Sequence, residues 1–163
     1  MDAHPRPVKI ARATAAGGRS QAGGTTSTLA VGPGDTSGSL GVIVATTVAG
    51  GGPPFHVHPA FDETFVILGG RFAFHTHDGV QEVGPGDTVF VPGEVPHAFR
   101  CVEAADGFEG GRTAMVVTPG RFIGFFDAMR DMATRDGGID QDQLAELGLE
   151  WGVRFPEPPP NLS

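Results

Sequence analysis

The chain has 163 residues, 11 Lys and Arg against 19 Asp and Glu, and a formal net charge of −8. That length makes a single domain the expectation and can bury a core without disulfide staples. Cys101 is the one cysteine and Lys9 the one lysine, so no internal bridge is available, and nucleic acid and anionic membranes are poor partners.

No window of about 18 apolar residues is present, so no membrane span is expected. The opening stretch "MDAHPRPVKIARATAAGG" has no apolar core of the kind a secretory signal carries. A cytoplasmic protein is the simplest expectation. There are 12 Phe, one Trp and no Tyr. Rings without phenols fill an apolar interior, and no tyrosine hydroxyl is available as proton donor or ligand.

Residues 1–39 are rich in Gly, Ala, Ser and Thr and read as an extended N-terminal arm with one or two weak strands, around Thr26–Val31. From Leu40 the pattern changes. "LGVIVATTV" is β-branched and apolar, a strand by type and length. "GGGPP" ends it, and then come "FHVHP", "ETFVIL", "RFAFHTH", "VQEV", "DTVFV", "HAFRCV" and "TAMVVT". Gly- and Pro-rich separators divide them, and Asp78-Gly79 predicts a two-residue hairpin turn. Many short strands at close spacing predict an antiparallel sandwich or barrel over residues 40–118.

After Pro119 the period becomes helical: Phe122, Phe125, Phe126, Met129, Met132 and Ala133 follow i, i+3, i+4, i+7 spacing. Asp140 is placed to cap a second short helix carrying Leu144 and Leu147. Residues 119–163 therefore read as a C-terminal helical extension with a Pro-rich tail.

The chemistry concentrates in "PPFHVHPAFDETFVILGGRF". In a strand, residues i and i+2 share a face, so His56 and His58 aim together. Two converging imidazoles are part of a coordination sphere for a divalent metal. Glu63 follows a bend and can fold back beside them, and His97 opens a later strand that a barrel could bring to the same mouth. A lone His-x-His is more often two polar side chains on a wet face. His75 and His77 form such a pair, without a carboxylate at comparable spacing, and read as surface. Asp62 points to the opposite strand face from Glu63, and Glu94 reads as a loop charge. Cys101 reads as a small buried thiol.

The block Gly50-x5-His56-x-His58-x4-Glu63-x6-Gly70 resembles the first cupin motif at every fixed position. The block Gly86-x5-Pro92-x-Glu94-x2-His97 resembles the second, with two departures. Glu94 stands where the motif has glycine, and Cys101 where it has asparagine. The resemblance covers roughly residues 40–118 and implies an all-β fold, a double-stranded β-helix or jelly-roll barrel. It also implies one divalent metal, whether Ni, Fe, Mn, Cu or Zn, held by His56, His58, Glu63 and His97. Within the cupins, the single barrel followed by "GRFIGFFDAM" looks like the quercetin-dioxygenase-like group.

Three neutral imidazoles and one carboxylate leave an open, positively charged site for an anionic ligand such as an enolate. Glu63 is the candidate general base. Phe65 and Ile67 share its strand face, Phe99 shares that of His97, and Phe72 or Phe74 adds a wall, so the substrate pocket is expected to be apolar. The expected activity is a metal-dependent dioxygenase using O2 on an enolisable, flavonol-like aromatic. A non-redox polyketide cyclase or isomerase, and a non-catalytic ligand-binding protein, are the alternatives. Jelly-roll cupins often dimerise, so a homodimer is expected.

Overall fold

The computed structural model describes residues 8–12, 19–58, 60–136 and 138–158. Nine strands and two α-helices follow in chain order: β1 (Arg19–Ala22), β2 (Thr25–Val31), β3 (Gly41–Val48), β4 (Asp62–Gly69), β5 (Arg71–Thr76), β6 (Gly79–Val83), β7 (Thr88–Val91), β8 (His97–Glu103), β9 (Gly110–Thr118), α1 (Ile123–Asp136) and α2 (Gln141–Trp151). A larger sheet has the order β1-β2-β3-β9-β4-β7 and a smaller one the order β6-β5-β8. All pairings are antiparallel. The architecture is the expected double-stranded β-helix jelly roll with a helical C-terminal part.

Alternation sets the inner faces. In β3, Gly41, Ile43, Ala45 and Thr47 are buried while Val42, Val44 and Thr46 are half-buried, the period of two that a half-covered strand requires. The sheets meet through rings. Phe65 on β4 makes edge contacts with Phe74 and Phe99, at 5.2 and 5.4 Å between centroids, and Phe72 meets Phe99 at 6.0 Å. Such edge-to-face pairs add to the burial of their large apolar area.

One local reading holds and two differ. The strand expected around Thr26–Val31 is β2, and with β1 it extends the larger sheet. The expected strand "FHVHP" is no ladder strand over its described residues 55–58: His56 bridges His97 and Val57 bridges Arg154, each in isolation. Pro53 and Pro54 lead into it without N–H groups, so a continuous ladder cannot form there. The hairpin after β5 closes one residue earlier than expected. Thr76 pairs with Gly79, which makes His77 and Asp78 its central residues.

The helices behave as their pattern predicts. Asp140 caps α2 in a reciprocal box: the Gln143 N–H donates to Asp140 Oδ1 at 2.8 Å, and the Asp140 N–H donates to Gln143 Oε1 at 3.1 Å. The helix ends at Gly152 with φ 74°, the left-handed stop that glycine adopts without penalty. Beyond it Val153 is buried in the core and Arg154 pairs with Val57. The C-terminal segment thus reaches back to the stretch that carries His56 and His58. Gly70 shows why its motif position takes glycine: φ is +76°, and a Cβ there would lie 2.4 Å from the Glu103 carbonyl oxygen.

Candidate metal centre

Three separate pieces of backbone deliver the cluster. His56 and His58 come from the bridged segment after β3, Glu63 from the start of β4, and His97 from the start of β8. The His56–His97 bridge fixes two of them directly, with N–H to carbonyl hydrogen bonds of 2.9 and 2.8 Å in both directions. Glu63 is held in register by pairing with Val91 on β7 and Val117 on β9. One ligand atom from each of the four residues lies within 4.8 Å of the others. His58, Glu63 and His97 are buried, and His56 is partly open toward the barrel interior.

Each imidazole is oriented by its own backbone. Nδ1 of His56 lies 3.0 Å from the Pro54 carbonyl, Nδ1 of His58 2.9 Å from the Phe61 carbonyl, and Nδ1 of His97 2.9 Å from the Val95 carbonyl. A carbonyl only accepts, so Nδ1 carries the proton in all three rings. In the neutral rings every Nε2 then offers a lone pair, which is the tautomer a metal requires. Yet Nε2 of His58 and of His97 stand 3.1 and 3.3 Å from the same carboxylate oxygen, Glu63 Oε2. Lone pairs facing a carboxylate repel unless a cation lies between them. The donor set and its tautomers therefore fit one divalent ion, with a proton as the substitute in its absence.

The electrostatics agree. Burial first, and then His97, push the His56 pKa down to about 4, so this ring is neutral and available near pH 7. Burial works against a charged His58, but the hydrogen bond and charge of Glu63 outweigh it and raise its pKa. Burial alone would raise the Glu63 pKa. With a proton in place of the ion, the hydrogen bonds that His58 and His97 then donate prevail and hold it far below the usual carboxylate range. A carboxylate kept ionised among imidazoles is suited to neutralising part of a dication's charge.

The cluster opens into a cavity of about 300 Å³. Ile43, Phe61, Phe65, Phe99, Met115 and Phe125 form much of its wall, and among the described residues no Lys or Arg lines it.

Residues 43–107 match the family described as Cupin domain. The barrel has the cupin fold. Over 65 residues the chain is 42% identical to dimethylsulfoniopropionate lyase DddQ of Ruegeria pomeroyi, a stretch that covers 39% of this chain and 32% of that protein. The chain thus spans about a third of the length of that curated relative. Among solved structures, a predicted oxalate decarboxylase of Thermotoga maritima aligns with TM-score 0.59 at 15% identity, covering 68% of this chain and 98% of the other. An RmlC-like cupin of Shewanella frigidimarina aligns with TM-score 0.56 at 17% identity, covering 72% and 96%. At such identities these two likenesses speak to fold alone.

Within this cupin barrel the four residues of the motif, His56, His58, Glu63 and His97, are brought together as one group that could bind a metal. Of the five residues expected around the substrate, Phe65 and Phe99 line the cavity. Ile67, Phe72 and Phe74 do not. They are 1, 0 and 4% exposed and sealed in the core between the sheets, because the cavity opens toward β2, β3 and the helices instead. Cys101 is a buried thiol, as its reading implied, and its sulfur accepts the Gly111 N–H at 3.2 Å. Asp62 faces away from the cluster and accepts the Gly93 N–H at 2.8 Å.

Two residues that sequence reasoning passed over complete the surround. The ring of Phe61 stacks on His58 at 4.1 Å and 14°, while its carbonyl holds the same imidazole. Phe155, from the tail, lies 6.2 Å from His56 and 30° from parallel. The position of Phe61, midway between His58 and Glu63, is a signal that could have found it. Nothing local marks Phe155, which arrives only through the Val57–Arg154 bridge.

Proposed function

We propose that the protein is a metal-dependent dioxygenase acting with O2 on an enolisable, flavonol-like aromatic substrate. The observation that carries this reading is the placement of a largely buried three-imidazole, one-carboxylate cluster on a ring-lined cavity where no described residue is basic. His56, His58, His97 and Glu63 would hold the ion. The ion would supply Lewis acidity, lowering the pKa of an oxygen acid bound beside it.

The chain's own groups do the rest. The faces of Phe61, Phe65, Phe99 and Phe125 favour a flat apolar ligand and exclude water. With no Lys or Arg among the described residues of the wall, a phosphate or remote carboxylate finds no counter-charge there. Glu63 is the one carboxylate of the cluster, and both imidazole contacts use Oε2, leaving Oε1 to accept the substrate proton. A carboxylate kept ionised can take that proton once the oxygen acid beside it is acidified, as an enol would be. No tyrosine is present to share that task.

A second reading keeps the same cluster but without redox chemistry: a cyclase, isomerase or lyase in which Glu63 moves the proton. The 42% local identity to a dimethylsulfoniopropionate lyase favours it. Elemental analysis of the purified protein, followed by oxygen-electrode assays on flavonols and by product analysis on dimethylsulfoniopropionate, separates the two. Bound Ni, Fe, Mn or Cu with flavonol-dependent O2 uptake supports the dioxygenase. Bound zinc, no O2 uptake and turnover of a non-redox substrate support the second reading. Metal without turnover on any of them leaves a ligand-binding protein.

A further inference from the structure

At the end of the cavity remote from the metal cluster stands a polar group that the proposed chemistry does not use. Thr113 on β9 lines the cavity and is 3% exposed. Among the described residues its hydroxyl has no hydrogen-bond partner. Among the described residues no fully enclosed side-chain polar atom lacks a partner, so this oxygen is not fully enclosed. The hydroxyl oxygen therefore reaches cavity space. A hydroxyl this deep without a partner costs free energy that a ligand's polar group would recover. The neighbouring row differs: Thr47 is 1% exposed and its hydroxyl pairs with that of Thr25 at 3.0 Å.

The sheet register builds a site around it. Ser27 on β2 pairs with Ala45 on β3, and Ala45 pairs with Thr113 on β9. All three line the cavity. Two hydroxyls thus flank a methyl group small enough to leave room between them. Glu63 pairs with Val117 on the same strand β9. Val117 and Thr113 are four positions apart on one face, which is roughly 13 Å along a strand. Between them lie Met115 and Phe65, an apolar row with no polar group to offer.

We infer that Thr113, assisted by Ser27, is a specificity residue that binds a second oxygen of the substrate, roughly 10 Å from the oxygen held at the cluster. This rests on the reading of the cavity as a site for oxygenated aromatics and narrows it. The ligand is elongated, flat and apolar in the middle, with a hydroxyl or carbonyl at each end. A single-ring acid is too short to engage both ends.

The test is equilibrium binding, measured anaerobically by calorimetry on the protein as purified, with its metal content determined first. The probes are 3-hydroxyflavone and its 4′-hydroxy and 7-hydroxy derivatives. In the wild type, one of the two hydroxylated probes should bind about fivefold more tightly than the parent, as one neutral hydrogen bond gives. Thr113→Val should abolish that gain while leaving the parent's affinity within about twofold, and Thr113→Ser should restore it. Circular dichroism checks that the valine variant folds. Ser27→Ala, which touches no core contact as deep, should reduce the gain in part and serves if it does not. A gain that persists in Thr113→Val, or equal affinities for all three probes in the wild type, overturns the assignment and leaves the proposed function standing. Failure of all three probes to bind overturns both.

Discussion

Two His-x-His sequences lie in this barrel, and their fates differ. His75 and His77 border the β5–β6 turn, and Thr76 pairs directly with His97 on β8. The two histidine pairs are therefore neighbours in the fold. Phe72 and Phe74 take the inner face of β5, so His75 and His77 point outward. His77 meets only the exposed Asp78, at 3.3 Å. His56 and His58 instead point inward, where two carbonyls set their tautomers, a carboxylate faces them and a third imidazole closes the group. The dipeptide pattern aims two rings in one direction. What they aim at is decided by residues elsewhere in the chain.

Removing the buried pair's better-enclosed member should have the largest effect. His58→Ala should weaken metal binding by at least about a hundredfold, since even outer partners of ligands matter at the 10- to 100-fold level, and turnover should vanish with the metal. Elemental analysis and activity assays on one preparation check both; full activity without His58 would break the cluster. Chelation sharpens the contrast. Metal stabilises only the folded state, so stripping it from the wild type should cost about 3 kcal/mol where free metal stands near 100-fold above its Kd. The same chelator should leave the melting temperature of His58→Ala unmoved.

Glu63→Gln separates holding the metal from moving the proton. The amide retains a ligand oxygen and should keep most of the metal. In the metal-free protein its NH₂ can also donate to the Nε2 lone pair of a neutral His58 or His97 ring, a pairing the carboxylate makes only when that nitrogen carries a proton. Turnover should nevertheless fall about 10²- to 10⁴-fold, the usual contribution of a positioned base. A glutamine variant as fast as the wild type would remove Glu63 from proton transfer.

The four residues of the cluster were legible because a motif at fixed spacing encodes them, and the strands because apolar alternation does. The cavity wall was only half legible. Ile67 shares a face with Glu63, as its spacing implies, but periodicity reports which side of a strand is inside and not which part of the inside is empty. Phe72 and Phe74 fill that side with rings. Thr113 sits across from Ile67 in the register and faces open space instead. Phe155 was illegible for another reason: its place depends on a bridge between residues 97 positions apart in the chain, Val57 and Arg154.

The departures from the motif divide in the same way. Cys101 replaces asparagine and joins the core. Glu94 replaces glycine, and its backbone still takes the conformation that glycine favours, φ +70°. It is exposed, and its N–H reaches the His58 carbonyl at 3.3 Å. Left-handed backbone costs a non-glycine residue about 1–2 kcal/mol. Glu94→Gly should therefore stabilise the protein by about 0.5–1 kcal/mol, after allowing for the looser unfolded chain. A urea midpoint shift measures this. Unchanged kinetics would fit a plain loop charge, whereas lost activity would show that the strained glutamate is kept for the site.

The smallest effect returns to the exposed pair and tests the comparison most directly. His75→Ala with His77→Ala removes as many imidazoles as deleting both His56 and His58. If two histidines in phase were enough to gather metal, stoichiometry would fall. Among the described residues only Asp78 sets a carboxylate against them, and that ion pair is exposed on both sides, where such contacts contribute well under 1 kcal/mol. Metal content should therefore stay at its wild-type value, and stability should move by no more than about 0.5 kcal/mol, as for ordinary surface substitutions. Thr76, left in place between them, keeps its pairing with His97, so any loss of metal in the double variant would have to come from the removed rings themselves.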